Sequence, residues 1–85
     1  MSKGKLINLG LENMVLQDRI VAIVRPDTAT IRRLINQYRD SAEKDVVDVT
    51  RGRKTRSVVI TDSDYVILSP VRTKTLSDRV LGEDE

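Results

Sequence analysis

Seven isoleucines and eleven valines stand against two aromatic residues in a chain of 85, which has no Phe, Trp, Cys or His. β-Branched side chains with a stiff χ1 suit a pleated, half-buried surface, so a fold built only from helices is disfavoured. A chain this short makes one domain and buries a smaller fraction of its surface than one of average length. Without Cys and His, neither disulfides nor thiolate and imidazole metal sites can add stability. A compact core, or assembly with further copies, must supply it.

The same absences prune chemistry. Ser-His-Asp triads, Cys nucleophiles, zinc deaminases and haem sites all need His or Cys. Carboxylate or lysine catalysis stays formally open, but 85 residues leave little wall for a substrate pocket of several hundred cubic ångströms. The expectation is a non-enzymatic protein with no cofactor, no metal and no small-molecule substrate. The longest apolar run, Ile20 to Val24, is five residues, against about 20 for a bilayer span. Nothing reads as a signal peptide, so a cytoplasmic, nucleoid-associated location is expected. The formal charge is +2, yet Glu83, Asp84 and Glu85 are all acidic, and without them the other 82 residues carry +5. A single domain over 1–82 with an acidic tail at 83–85 follows, and its basic body fits a polyanionic partner.

Along the chain, Leu6-Ile7-Asn8-Leu9 reads as a first strand, Gly10 as a turn and Asn13-Met14-Val15-Leu16 as a second strand. Residues 19–24 form a third, ended by Arg25-Pro26 because Pro lacks a ladder donor. Its unbroken apolar run predicts burial on both faces, one of them at a subunit interface. After Pro26 the period becomes 3.6: Ile31, Leu34, Ile35, Tyr38 and Ala42 make one stripe of a helix over 28–43. Asp27 or Thr28 can cap its first turn. Arg32, Arg33, Arg39 and Asp40 lie off the stripe and are expected in solvent.

Residues 45–50 and 55–60 read as strands joined by Arg51-Gly52-Arg53-Lys54, a hairpin with a basic tip. Asp62-Ser63-Asp64 turns the chain into Tyr65-Val66-Ile67-Leu68-Ser69, closed by Pro70. Thr75-Leu76-Ser77-Asp78 fits a capping box for a short last helix with Leu76, Val80 and Leu81 on its apolar side. The fold class is α+β: a small, mostly antiparallel sheet covered by one main helix plus a short C-terminal helix.

Arg51-Gly52-Arg53-Lys54-Thr55-Arg56 is the sharpest feature, four cations in six residues with no acid among them. Gly52 permits a tight turn, Thr55 can donate to a phosphate oxygen, and the planar fork of Arg suits phosphate bidentately. The plain alternative is a solubilising turn. Arg19, opening the most apolar strand, either extends the basic surface or pairs with Asp18 or another acid. Arg32 and Arg33 near a helix start oppose the macrodipole, a placement that fits binding or assembly. Asp62-Ser63-Asp64 lacks the Gly and terminal Glu of a calcium loop and reads as an Asx-rich turn. With only Tyr38 and Tyr65 aromatic, bases have little to stack upon, which favours backbone contact with duplex DNA over single strands or RNA. A second class of reading is an adaptor or structural protein whose basic turn docks an acidic protein partner.

Leu6-Ile7-Asn8-Leu9-Gly10, Asp18-Arg19-Ile20-Val21-Ala22-Ile23-Val24, Pro26-Asp27-Thr28-Ala29, then residues 51–60 with Asp62-Ser63-Asp64 and Ile67-Leu68-Ser69, resemble in order the small bacterial extracellular-matrix regulatory family, RemA. The Gly-Arg-(Arg/Lys)-Thr-Arg segment is the most specific part. The chain departs from the pattern at Thr30, where relatives often carry Pro, and at Arg51, where an aromatic often precedes the glycine. The resemblance implies a DNA-binding transcriptional regulator of biofilm matrix genes that assembles into a homo-oligomeric ring and binds double-stranded DNA along its rim, with a protomer similar to the LytTR DNA-binding domain. It also implies that the family's functional arginines fall at Arg19, Arg53 and Arg56, with Lys54 in place of an Arg. With Arg51 and Thr55 from the same turn, these form the expected DNA-binding set, and Arg32 and Arg33 are further DNA or assembly contacts.

Overall fold

The structure is a computed structural model that describes residues 5–82; the acidic tail expected at 83–85 lies outside them. Six strands and two helices follow in the order β1 (Leu6–Asn8), β2 (Met14–Leu16), β3 (Ile20–Val24), α1 (Ala29–Asp40), β4 (Asp45–Asp48), β5 (Ser57–Thr61), β6 (Tyr65–Ser69) and α2 (Thr73–Leu81). The α+β class holds. A single 3-10 turn, Gln17–Arg19, joins β2 to β3.

β1 and β2 form a two-stranded sheet, and the other four strands form a second sheet in the order β3-β5-β6-β4. β5 is antiparallel to both β3 and β6, whereas β4 runs parallel to β6. The expected β4–β5 hairpin therefore does not form. Both segments have strand composition, but β4 pairs with β6 at the sheet's far edge, so residues 49–56 are a crossover loop instead of a hairpin tip. The hairpin read at Asp62-Ser63-Asp64 does join β5 to β6.

Side-chain alternation along β5 and β6 feeds two cores. Val59 and Ile67 point to one face, where Ile7, Leu9, Val15 and Leu76 complete a buried cluster. Val58, Val66 and Leu68 point to the other, where Ile31, Ile35 and Tyr38 of α1 pack on them. The main helix covers one face, while the β1–β2 sheet and α2 cover the other. The strands buried on both faces are thus β5 and β6. β3, read as buried on both faces with one at a subunit interface, is an edge strand in the single chain, with Val21 65% exposed there.

Local chemistry explains the helix ends. Thr28 caps α1, its hydroxyl accepting from the Ile31 amide at 3.2 Å. α1 stops at Asp40, three residues short of the expected end, because Ser41 is extended; Ala42 lies beyond the helix and is exposed. Arg32, Arg33, Arg39 and Asp40 are exposed as expected. α2 begins two residues before Thr75, so the capping box is not formed. Asp78 instead accepts from Lys74 at 3.1 Å, an i,i+4 pair within the helix, and Leu81 is exposed while Leu76 is fully buried.

Candidate nucleic-acid interface

The basic loop begins at a turn fixed by Asp48. The Asp48 carboxylate accepts from the Thr50 hydroxyl at 2.6 Å and the Thr50 amide at 2.8 Å. Those two bonds, the hydroxyl first, hold the Asp48 carboxyl below the usual carboxylate range; the Arg39 charge adds a smaller pull in the same direction, and slight desolvation opposes it. Next comes a β-turn closed by the Arg53 amide on the Thr50 carbonyl at 3.1 Å. Both of its central residues have positive φ, Arg51 at 54° and Gly52 at 83°. Glycine takes that geometry freely and arginine at a cost of about 1 kcal/mol or more, so the loop holds an exposed cation where glycine would be less strained.

Because a depressed carboxyl contributes stability above its unfolded-state value, the Asp48 anchor is intact at neutral pH. It is lost as pH falls through the lowered folded value. Thr50 is only 2% exposed, so Asp48→Ala strands two buried donors and is expected to cost about 1–3 kcal/mol in urea denaturation at neutral pH. Asp48→Asn, which keeps an acceptor, should cost less. Equal losses for the two substitutions would show that the acceptor is not what matters.

The strand register decides what surrounds the loop. Val24 of β3 pairs with Val58, and the Arg56 amide donates to the Ser69 carbonyl at 2.8 Å. The start of β5 therefore sits beside the end of β3 and the end of β6. Arg25, Lys54, Arg56, Arg72 and Lys74 line one shallow cleft of about 380 Å³, with Asp27 as its one acid. Arg53, Lys54 and Arg56 line a second, closed on its far side by Gly10, Leu11, Pro70 and Val71. Gly10 has φ +101°, and a Cβ there would lie 2.8 Å from Val71 Cγ2, so the β1–β2 turn can close this wall only with glycine.

Of the expected DNA-binding residues, Arg53, Lys54, Thr55 and Arg56 come together at this end, and Arg51 stands exposed beside them. Arg51, Arg53, Lys54, Arg56 and Arg72 make no ion pair within the described residues, whereas Arg25 is held by Asp27 at 2.8 Å. Arg19 is elsewhere: it precedes β3 at the opposite end, roughly 20 Å from Arg25 at about 3.3 Å per residue. There it faces Asp62 at 3.6 Å, not Asp18. It lines a groove with Leu6, Met14, Leu16 and Val47. Arg32 and Arg33 are exposed on α1 and line neither cleft. Arg25, Arg72 and Lys74 were missed at the sequence level because a free hairpin tip has no neighbours. Their signal lies in the flanks of β3 and β6, which the antiparallel pairing with β5 carries to the loop.

The profile of the RemA-like family, described as extracellular matrix regulatory protein A-like, matches residues 6–80. The chain belongs to this family. The match confirms the resemblance drawn from the ordered segments and spans both clefts and the Arg19 groove. The chain is similar to a "Putative regulatory protein" of Nitratidesulfovibrio vulgaris, 49% identical over 85 residues, which cover all of this chain and 96% of the relative. A protein of the same description from Geobacillus thermodenitrificans is 49% identical over 81 residues, 95% of this chain and 91% of the relative. One from Clostridium novyi is likewise 49% identical over 81 residues, covering 95% and 88%. Family membership and these names support a regulatory role for a RemA-like chain. No helix among the described residues is long and apolar enough to cross a membrane.

Proposed function

We propose that the chain is a non-enzymatic, cytoplasmic regulator of extracellular-matrix genes that assembles head to tail into a ring, with a protomer of the LytTR kind, and binds duplex DNA through its repeated basic end. The observation that carries the reading is the convergence of Arg53, Lys54 and Arg56 with Arg25, Arg72 and Lys74 at one end of the sheet, five of these lining one cleft that holds a single acid. Phosphate contacts of this kind position a protein on DNA without reading bases, so specificity would come from DNA shape and bendability. Lys54 keeps the charge of the family's arginine without its fork, and its contact is correspondingly less directional.

Assembly is supported by how the exposed apolar residues divide. Val21 and Leu81, 65% and 67% exposed, flank one patch beside β3. Leu6, Met14, Leu16 and Val47 line a groove beside β4. β3 and β4 are opposite edges of the same sheet. Two unlike apolar surfaces on opposite edges suit a heterologous contact between copies, which closes into a ring when the rotation allows. In such a ring Arg19, which lines the β4-side groove, stands at the subunit junction, at the end of the strands opposite the basic loop.

The test is the full chain against its Arg53→Ala, Arg56→Ala double variant, by duplex gel shift with light scattering for mass. The variant is expected to keep the mass and lose affinity for every duplex. Unchanged affinity in an intact oligomer would overturn the proposal. A protein partner in place of DNA would show 1:1 saturation and no duplex shift.

A further inference from the structure

We propose that the cleft between Arg25, residues 54–56 and the first turn of α2 is a seat for a backbone phosphate of the duplex, with Arg72 as its principal ligand. This rests on the duplex-binding reading above and adds to it residues outside the basic loop.

The wall chemistry selects an anion. Pro26 is the only apolar residue among the lining side chains, so what would orient a ligand there is charge and hydroxyl donors. Of the five cations, Arg25 is occupied by Asp27 and Lys74 by Asp78, at 2.8 and 3.1 Å. Lys54, Arg56 and Arg72 remain without an ion pair among the described residues. Three unneutralised cations on two facing walls, Lys54 and Arg56 on the loop and Arg72 on α2, repel one another in the free protein, and an anion placed between them removes that cost. Thr55 and Thr73, both half-buried on the same walls, add hydroxyl donors.

Arg72 is the residue best placed to act. It occupies the N-cap position of α2, where a guanidinium, a donor with no acceptor, cannot bond the helix amides; with no ion pair among the described residues, its fork is open to a phosphate. α2 carries no acid in its first turn, which leaves the field at that end positive. The continuity of the surface points to a polymer. Lys54 and Arg56 line both clefts, making the loop a ridge between two troughs. Successive phosphates of one strand can lie on either side of it.

Arg72→Ala and Arg72→Lys in the full chain separate the outcomes. Both should keep the far-UV spectrum and the oligomer mass, since no cap is removed. In duplex titrations over a salt series, Arg72→Ala should bind more weakly, and the slope of log K against log salt should shrink by about 0.9 for each phosphate no longer engaged. Arg72→Lys should recover the slope and part of the affinity. Wild-type duplex binding with an unchanged slope in Arg72→Ala would overturn this seat and leave the wider reading standing, whereas a wild-type chain that binds no duplex would overturn both. Inorganic phosphate titrated against the intact chain should compete only weakly. Tight phosphate binding abolished by Arg72→Ala, with duplex affinity unaffected, would identify a free-anion site and overturn the DNA assignment.

Discussion

In the proposed ring, Val21→Asp is expected to give monomers and to lower the apparent affinity for a long duplex by about 10² to 10⁴, the avidity available when linked weak contacts share one DNA. Val21 is 65% exposed in the protomer, so the substitution removes little burial there and the protomer should stay folded. In a β3-side contact, however, a carboxylate would have to be buried without a partner, which is strongly unfavourable. Light scattering and circular dichroism distinguish the cases: lower mass with an unchanged spectrum is the expected result. A variant of wild-type mass would place the subunit contact away from β3.

Leu76→Ala is expected to be the most damaging single core change, costing about 2–5 kcal/mol. Leu76 is fully buried against Ile7, Leu9, Val59 and Ile67, and it pins α2, and with it Arg72 and Lys74, to the body of the protein. A domain of this size has roughly 5–10 kcal/mol in hand, so the variant should be partly unfolded at moderate temperature. Urea denaturation is to be compared at one protomer concentration, because the proposed assembly would add concentration-dependent stability. A loss below about 1 kcal/mol would mean that α2 is held by something other than this side chain.

The parts of the fold legible in the sequence are those written locally. β6 occupies the span read for it because Asp62-Ser63-Asp64 and Pro70 punctuate both ends, and Thr28 caps α1 because it directly precedes the 3.6-residue period. Pairing is not local. Val46-Val47 and Val58-Val59 look alike as strand, and nothing in their spacing says that β4 crosses to a parallel place beside β6 while β5 runs between β3 and β6. That β5 and β6 are covered on both faces likewise follows from their central places in the sheet and not from their spacing. The charge of residues 51–56 was legible in the same local way. That Arg25, Arg72 and Lys74 stand around them, and that Arg19 does not, follows only from strand order.

The most direct measurement is the salt dependence of duplex binding by the intact chain beside the Arg53→Ala, Arg56→Ala variant. For backbone contact by an assembly, log K should fall linearly with log salt with a slope of several units, near −0.9 per phosphate engaged, and the slope should be shallower in the variant. A salt-insensitive association, or identical steep slopes for the two proteins, would contradict a DNA interface built on this loop.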